Sequence, residues 1–203
     1  MWNLTTRLPH RMGVAVSGGA DSMALLHFLA RNQNRDIHAF MYDHGTGAQH
    51  EAEPIVRRLC DQYDIPLYVG HCDEVKPSDF SPEEHWRNCR YAWLESQPMV
   101  IATGHHLNDV AETWLWGSVN GQPRLIPSSR NNIIRPLLAV SRQEIEDYCV
   151  ENKINFWNDP SNLERRYTRN RIRQDMIPAA ISANPGFLNM LRRKIIKRDR
   201  SQG

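Results

Sequence analysis

A chain of 203 residues, 40% apolar and 24% charged, has the size of one globular domain with a small appendage, which excludes two full-sized catalytic domains. A mean hydropathy of -0.60, with no apolar run near the ~18 residues that cross a bilayer, excludes a membrane-spanning helix. The net charge of +2 hides an uneven distribution: Leu163 to Gly203 holds eleven Lys or Arg against three Asp or Glu, while the first 162 residues hold fourteen against twenty. A basic end on an acidic body fits a polyanion-facing surface, because clustered cations release counterions from a phosphate backbone; a solvated helical face fits the charge equally well.

The start Met1-Trp2-Asn3-Leu4 lacks the apolar stretch of a secretory signal, so the chain is expected in the cytoplasm. Short β-rich apolar runs then alternate with longer helical patterns, the signature of βαβ units and a parallel sheet. Strands are expected near Gly13 to Val16, Ile37 to Tyr42, Leu67 to Gly70 and Val100 to Thr103. Between them, Ala20 to Arg31 carries Met23, Leu25, Leu26 and Leu29 on helical spacing, and Glu51 to Tyr63 carries Ile55, Val56 and Leu59. Ser81-Pro82-Glu83-Glu84 opens another helix, with a capping Ser, Pro in the first turn and carboxylates near the positive end of the dipole.

A helix from about Leu107 to Trp116 is expected to stop before Gly117, and Gly117 to Asn132, rich in Gly, Pro, Ser and Asn, reads as a loop. Ser141 with Glu144 three residues on forms a capping box for a helix reaching Asn152. The turn cluster Asn158-Asp159-Pro160-Ser161-Asn162 divides the chain into an α/β body, residues 1–160, and a basic helical segment for RNA contact, residues 161–203. Cys60, Cys72, Cys89 and Cys149 form no CxxC pair, and the nine histidines form no HExxH, so no zinc or iron–sulfur site is readable from spacing; buried free thiols are the default.

The densest chemical signal is Gly13-Val14-Ala15-Val16-Ser17-Gly18-Gly19-Ala20-Asp21-Ser22, a strand ending in Ser-Gly-Gly at a helix N-terminus. Backbone N–H groups there converge on an anion without Cβ clashes, and Ser17 and Ser22 add hydroxyls. The Gly-Lys-Ser/Thr of a Walker loop is missing, which argues against a conventional γ-phosphate-transferring NTPase. A plain glycine turn capped by Asp21 accounts for one glycine and one cap, but not for two serines flanking Gly-Gly together with Asp21.

SGGADS resembles the SGGxDS pyrophosphate loop of the PP-loop ATP pyrophosphatases, which cleave ATP between its α and β phosphates and adenylate a substrate. Five further blocks resemble tRNA(Ile)-lysidine synthetases within that superfamily. They are Tyr42-Asp43-His44-Gly45 with Glu51-Ala52-Glu53; Arg87 to Leu94 with Arg90-Tyr91; Thr103-Gly104-His105-His106-Leu107-Asn108-Asp109-Val110-Ala111-Glu112-Thr113; Ile134-Arg135-Pro136-Leu137-Leu138 with Ser141-Arg142; and Asp159-Pro160-Ser161-Asn162 followed by Tyr167 to Arg173. The resemblance spans roughly residues 13 to 178 and implies a Rossmann-like parallel sheet flanked by helices.

It also implies a ligase reaction in which ATP adenylates the C2 oxygen of the wobble cytidine of a tRNA(Ile) anticodon and a lysine amine then displaces AMP. Ser17, Gly18, Gly19, Ala20, Asp21, Ser22, Asp43 and His44 are the implied ATP-binding residues, with Asp21 a candidate Mg²⁺ ligand. Asn108, Asp109 and Glu112 are the implied lysine site; Asp109 and Glu112 are three apart on one helix, a spacing that also suits an exposed acidic face. Asp21, Arg90, Asp109, Glu112 and Arg173 are the candidate catalytic set. Arg169, Arg171, Arg173, Arg192, Arg193, Lys194 and Lys197 are the candidates for RNA phosphates, since guanidinium forks match phosphate geometry. The expected partners are tRNA and free lysine, with no membrane; the oligomeric state stays open, a homodimer among the options.

The chain departs from the family pattern at Asn108, where an Asp is usual, at Val110, where Gln is usual, and in a glycine-rich segment reduced to Gly117-Ser118 and Gly121. It also stops soon after the basic block, so a compact form without additional C-terminal domains is expected. Another PP-loop adenylating enzyme acting on RNA and a non-catalytic tRNA-binding relative remain as alternatives; the missing CxxC speaks against thiolases that use paired cysteines.

Overall fold

The computed structural model describes residues 2–31, 34–45, 47, 49–72, 81–158 and 168–201. Six strands form one sheet in the order β3-β2-β1-β4-β6-β5. The strands are β1 (Arg11–Val16), β2 (Asp36–Asp43), β3 (Leu67–His71), β4 (Ile101–Ala102), β5 (Ser129–Arg130) and β6 (Ile133–Ile134). The first four and β6 run parallel, with Gly13 opposite His38 on one side and Ile101 on the other; the edge strand β5 is antiparallel to β6. Strand β5 lies inside the segment whose composition suggested a loop, and β6 begins directly after it.

Helices α1 (Ala20–Ala30), α2 (Gln49–Gln62), α3 (Pro82–Glu95), α4 (Leu107–Val119) and α5 (Arg142–Glu151) are interleaved with the strands. β1 is buried along most of its length, as a central parallel strand must be, and Met12, Val14 and Val16 pack with Met23, Leu25, Leu26 and Leu29 of α1. The chain moves outward from β1 to β2 and β3, then crosses back to β4 on the other side of β1. That reversal makes a crevice at the carboxyl ends of β1 and β4, the usual ligand position in open α/β sheets.

Helix α4 runs past Gly117 to Val119, three residues beyond the expected stop. Gly117 serves close approach here: a Cβ would sit 2.3 Å from the carbonyl oxygen of Gln122, where the returning chain donates Gln122 N–H to Gly117 O.

The C-terminal segment is helical, as its composition suggested: α6 (Thr168–Arg171), a π-helical turn (Ile172–Met176), α7 (Ile177–Ala183) and α8 (Phe187–Ser201). Pro178, unable to donate to a carbonyl in the preceding turn, accounts for the widened π turn just before it. Ile172, Ile177, Phe187, Leu191 and Ile195 bury themselves against Leu107, Val110, Ala111 and Leu138, so these helices are docked on α4. Among the described residues, no helix is long and apolar enough to cross a membrane.

Candidate active site

Gly19 is the N-cap of α1, and glycine offers no side-chain acceptor, so the first N–H groups of this helix meet no cap from that position. Gly18 adopts φ +79°, and a Cβ there would lie 2.7 Å from Cβ of Ala52 on α2. Ser17 N–H donates to Ser22 Oγ at 3.1 Å, and Ser22 Oγ donates to Gly19 O at 3.0 Å. The serines therefore lock the loop's shape, and the amides that open α1 stand where helix N-termini commonly hold anions. Asp21 sits inside the first turn of α1, which removes the helix-cap explanation for it.

The turn after β4 closes the other wall. Gly104 passes so near α1 that a Cβ would stand 3.0 Å from the carbonyl carbon of Asp21. His106, almost fully buried, is the N-cap of α4: Asn108 N–H donates to its Nδ1 at 3.1 Å, and its own N–H donates to Asp109 Oδ2 at 2.9 Å. With Nδ1 accepting, the ring proton belongs on Nε2, which lies 3.5 Å from Asp21 Oδ1 and 3.7 Å from Asp109 Oδ2. Burial opposes a charged His106, but Asp109 and then Asp21 outweigh burial and raise its pKa, against a smaller effect of Arg173. An added proton would have to go on Nδ1, where it meets the Asn108 N–H.

Asp109 and Glu112 share the buried face of α4, and a partly exposed cation faces both. Arg173, from the π turn, donates Nε–H to Glu112 Oε1 at 2.6 Å and has Nη2 3.6 Å from Asp109 Oδ1. This buried setting overrules the exposed-acidic-face alternative. Asn108 Oδ1 accepts the N–H of Arg142 at 2.9 Å, tying α4 to the first residue of α5. Arg142 had appeared in the sequence only as part of a motif. Its pKa is raised, chiefly by its hydrogen bond to Glu146 and against the effect of burial, with further support from the charges of Glu146, Asp21 and Asp109.

At the end of β2, Asp43 Oδ1 accepts from Gly45 N–H at 2.7 Å, and Asp43 Oδ2 lies 3.6 Å from His71 Nδ1. His44 packs on Tyr42 and Trp86, with ring centroids 5.1 and 6.0 Å apart. Burial and then the positive charge of Arg90 push its pKa down to about 4, so it is neutral near pH 7. Arg90 itself reaches over the Tyr91 ring.

Of the basic residues, Arg193, Lys194 and Lys197 are exposed along α8, Lys194 with Nζ 5.4 Å from the Trp114 ring centroid. Arg192 is partly buried and donates to Glu144, and Arg171 is exposed on α6. Asp159 to Tyr167 lie outside the described residues, as does the side chain of Arg169.

The open sheet, its reversal at β1 and β4, and the glycine-capped start of α1 define an α/β nucleotide-binding architecture of the pyrophosphate-loop type. The chain belongs to the PP-loop domain family, whose model matches residues 3–180. It is 37% identical over 201 residues to the tRNA(Ile)-lysidine synthase of Borreliella burgdorferi, covering 91% of this chain and 46% of that protein. With the tRNA(Ile)-lysidine synthase of Polaromonas naphthalenivorans it shares 36% identity over 192 residues, covering 87% and 58%. The chain thus spans about half the length of the curated relatives it matches. Among solved structures, the U34-tRNA thiolase NcsA from Methanococcus maripaludis, with its [4Fe-4S] cluster, superposes with a TM-score of 0.69 at 17% identity, covering 97% of this chain and 73% of that one; this likeness is one of fold.

Proposed function

We propose that this chain catalyses ATP-dependent joining of lysine to C2 of the wobble cytidine in a tRNA(Ile) anticodon. The observation that carries the reading is the meeting of the Gly19-capped anion seat with Asp21, His106 and Asp109 across one crevice. The similarity to tRNA(Ile)-lysidine synthases over about nine-tenths of the chain supports lysine and a tRNA(Ile) cytidine as the substrates in this reading.

The cytidine C2 oxygen attacks the α-phosphorus of ATP, and pyrophosphate leaves into the loop from Ser17 to Ser22. The lysine amine then bonds to C2, AMP departs, and the amine loses a proton. Fixed amide dipoles at the seat stabilise the charge that grows on pyrophosphate without reorganising. An anion seat with a carboxylate, Asp21, at its mouth calls for a cation between them, and a hard oxygen donor beside phosphates fits Mg²⁺. Asp21 would hold that ion, which supplies neutralising charge to the leaving group.

Asp109 and Glu112 attract the lysine ammonium group in competition with Arg173. Neutral His44, on the rim at the end of β2, offers uncharged hydrogen bonding to a base. Arg193, Lys194 and Lys197 on α8, with Arg171, supply phosphate contacts to tRNA.

The test is incubation of the chain with ATP, Mg²⁺, labelled lysine and unmodified tRNA, followed by mass analysis of the nucleosides. A lysine-bearing cytidine, with AMP and pyrophosphate released in equal amounts, is expected. AMP formation with a different nucleoside product would reassign the nucleophile, and tRNA binding without ATP turnover would make the chain a binding relative.

A further inference from the structure

We propose that Cys72, His85 and Cys89 form a zinc site that braces helix α3 against the carboxyl end of β3. The three ligand atoms lie within 4.8 Å of one another, although the residues are spread over eighteen positions of sequence. His85 Nε2 is 3.7 Å from Cys72 Sγ and 3.7 Å from Cys89 Sγ. In a tetrahedral site with Zn–S ≈ 2.3 Å and Zn–N ≈ 2.0–2.1 Å, sulfur and nitrogen stand about 3.5 Å apart; Cys89 Sγ is also 3.7 Å from His85 Nδ1, so an ion enters after the imidazole turns to aim one nitrogen between the two sulfurs.

The backbone already fixes the ligands from two directions. Cys72 follows directly on β3, and its N–H donates to Asp43 O at 3.0 Å, anchoring it to the end of β2. His85 and Cys89 are four apart on α3, hence on one helical face. His85 and Cys89 are buried and Cys72 is half-buried, which leaves one side for ion entry and a fourth position for water or another donor.

Charge balance favours a divalent thiophilic ion. Two thiols lose two protons to solvent on binding, and the two thiolates with Zn²⁺ and a neutral imidazole make an uncharged unit, suited to a largely buried position. Among the described residues, the other two cysteines have no such arrangement. Burial pushes the thiols of Cys60 and Cys149 up to about 11, and they remain protonated packing groups. The spacing Cys72-x12-His85-x3-Cys89 contains no CxxC, because neither thiol has a near neighbour of its kind.

The brace also bears on the site at the crevice. Arg90, next to Cys89 on α3, is the cation that helps hold His44 neutral. An ion that fixes α3 to β3 therefore fixes the distance between Arg90 and the end of β2.

The experiment titrates Co²⁺ and then Zn²⁺ into the full chain, reduced and freed of metal, under argon. One equivalent of Co²⁺ should produce thiolate-to-cobalt charge transfer and the intense visible bands of tetrahedral cobalt, and Zn²⁺ should erase both. Cys72→Ser and His85→Asn should weaken Zn²⁺ binding by ~100-fold or more, since loss of an outer-shell partner alone costs 10–100-fold. Cys60→Ala should bind like the parent chain. In a measurement that needs no variant, one equivalent of Zn²⁺ should protect Cys72 of the parent chain from alkylation and raise its melting temperature. Absence of stoichiometric binding in the reduced chain overturns the proposal, as do cobalt bands that survive Cys72→Ser with the fold intact. Isolation with iron and sulfide in place of zinc also overturns it.

Discussion

Arg173 donates to Glu112 across 61 positions of sequence, and it is the cation that faces a carboxylate only 3% exposed. Removing one member of a buried ion pair costs about 3–5 kcal/mol when both partners are buried. Arg173 keeps some solvent contact, so Arg173→Met should destabilise the chain by about 2–4 kcal/mol in urea unfolding. The double variant Arg173→Met with Glu112→Met should regain most of that loss. An unchanged urea midpoint in the single variant would mean that Glu112 finds another partner.

The legible parts of this molecule were those with local causes. β1 and α1 follow from periodicity, the Ser81 and Ser141 caps from their residue types, and the glycine-capped start of α1 from Ser-Gly-Gly before an apolar helix. What could not be read was the set of partnerships that need tertiary structure. Asn108 read as a missing charge in a lysine site, but its bond from Oδ1 to the Arg142 N–H at the start of α5 had no local signal. Asp109 and Glu112 showed their spacing but not Arg173 between them and solvent. The Cys72, His85 and Cys89 cluster depends on β3 and α3 meeting at one edge, which no local pattern announces.

Asp21 is half-exposed in the first turn of α1, so its side chain contributes little packing. Asp21→Ala should abolish ATP–pyrophosphate exchange measured with tRNA present, while the melting temperature moves by no more than about 2–4 °C, the effect of roughly 1 kcal/mol at this size. Undiminished exchange in this variant would remove the loop from the chemistry.

His44 gives a pH signature with a definite sign. Its pKa falls from 6.5 to about 4 on folding, so the unfolded chain binds the proton more tightly. Its contribution to stability is full above pH 6.5 and is lost as pH drops towards 4. After allowance for solvent at this partly buried position, the loss should be about 1–2 kcal/mol. Melting curves of the parent chain and His44→Gln from pH 7 to pH 4.5 should therefore converge as the pH falls. Parallel curves would show that His44 titrates alike in both states.

The basic helix calls for charge substitution in place of truncation. Cutting the chain at Leu191 would remove Leu191 and Ile195, both fully buried against α4, and confuse binding with folding. Replacing Arg193, Lys194 and Lys197 with Gln keeps the core, and each lost phosphate contact should lower the logarithmic salt slope of tRNA binding by about 0.7–0.9. A slope equal to that of the parent chain would move the RNA surface away from α8.

Asn108 joins the fold to the proposed lysine site, and a single substitution can separate the two roles. Its Oδ1 accepts Arg142 N–H at 2.9 Å at the start of α5, beside the Ser141 cap, so Asn108→Ala should lose one hydrogen bond worth about 1 kcal/mol. Asn108→Asp keeps the acceptor and adds negative charge where two helix N-termini meet, which should stabilise the chain by about 0.3–1 kcal/mol. If Asp109 and Glu112 attract the lysine ammonium group against competition from Arg173, a third carboxylate beside them shifts that competition towards lysine. A charge-assisted contact of about 1.5–3 kcal/mol would then lower the lysine KM tenfold or more, with kcat little changed, because the gain lies in binding. Steady-state rates over a lysine series, run beside melting curves for the parent chain and both variants, test the two parts independently. A stabilised Asn108→Asp protein with unchanged lysine KM would leave the hydrogen bond standing and put the ammonium site elsewhere in the crevice.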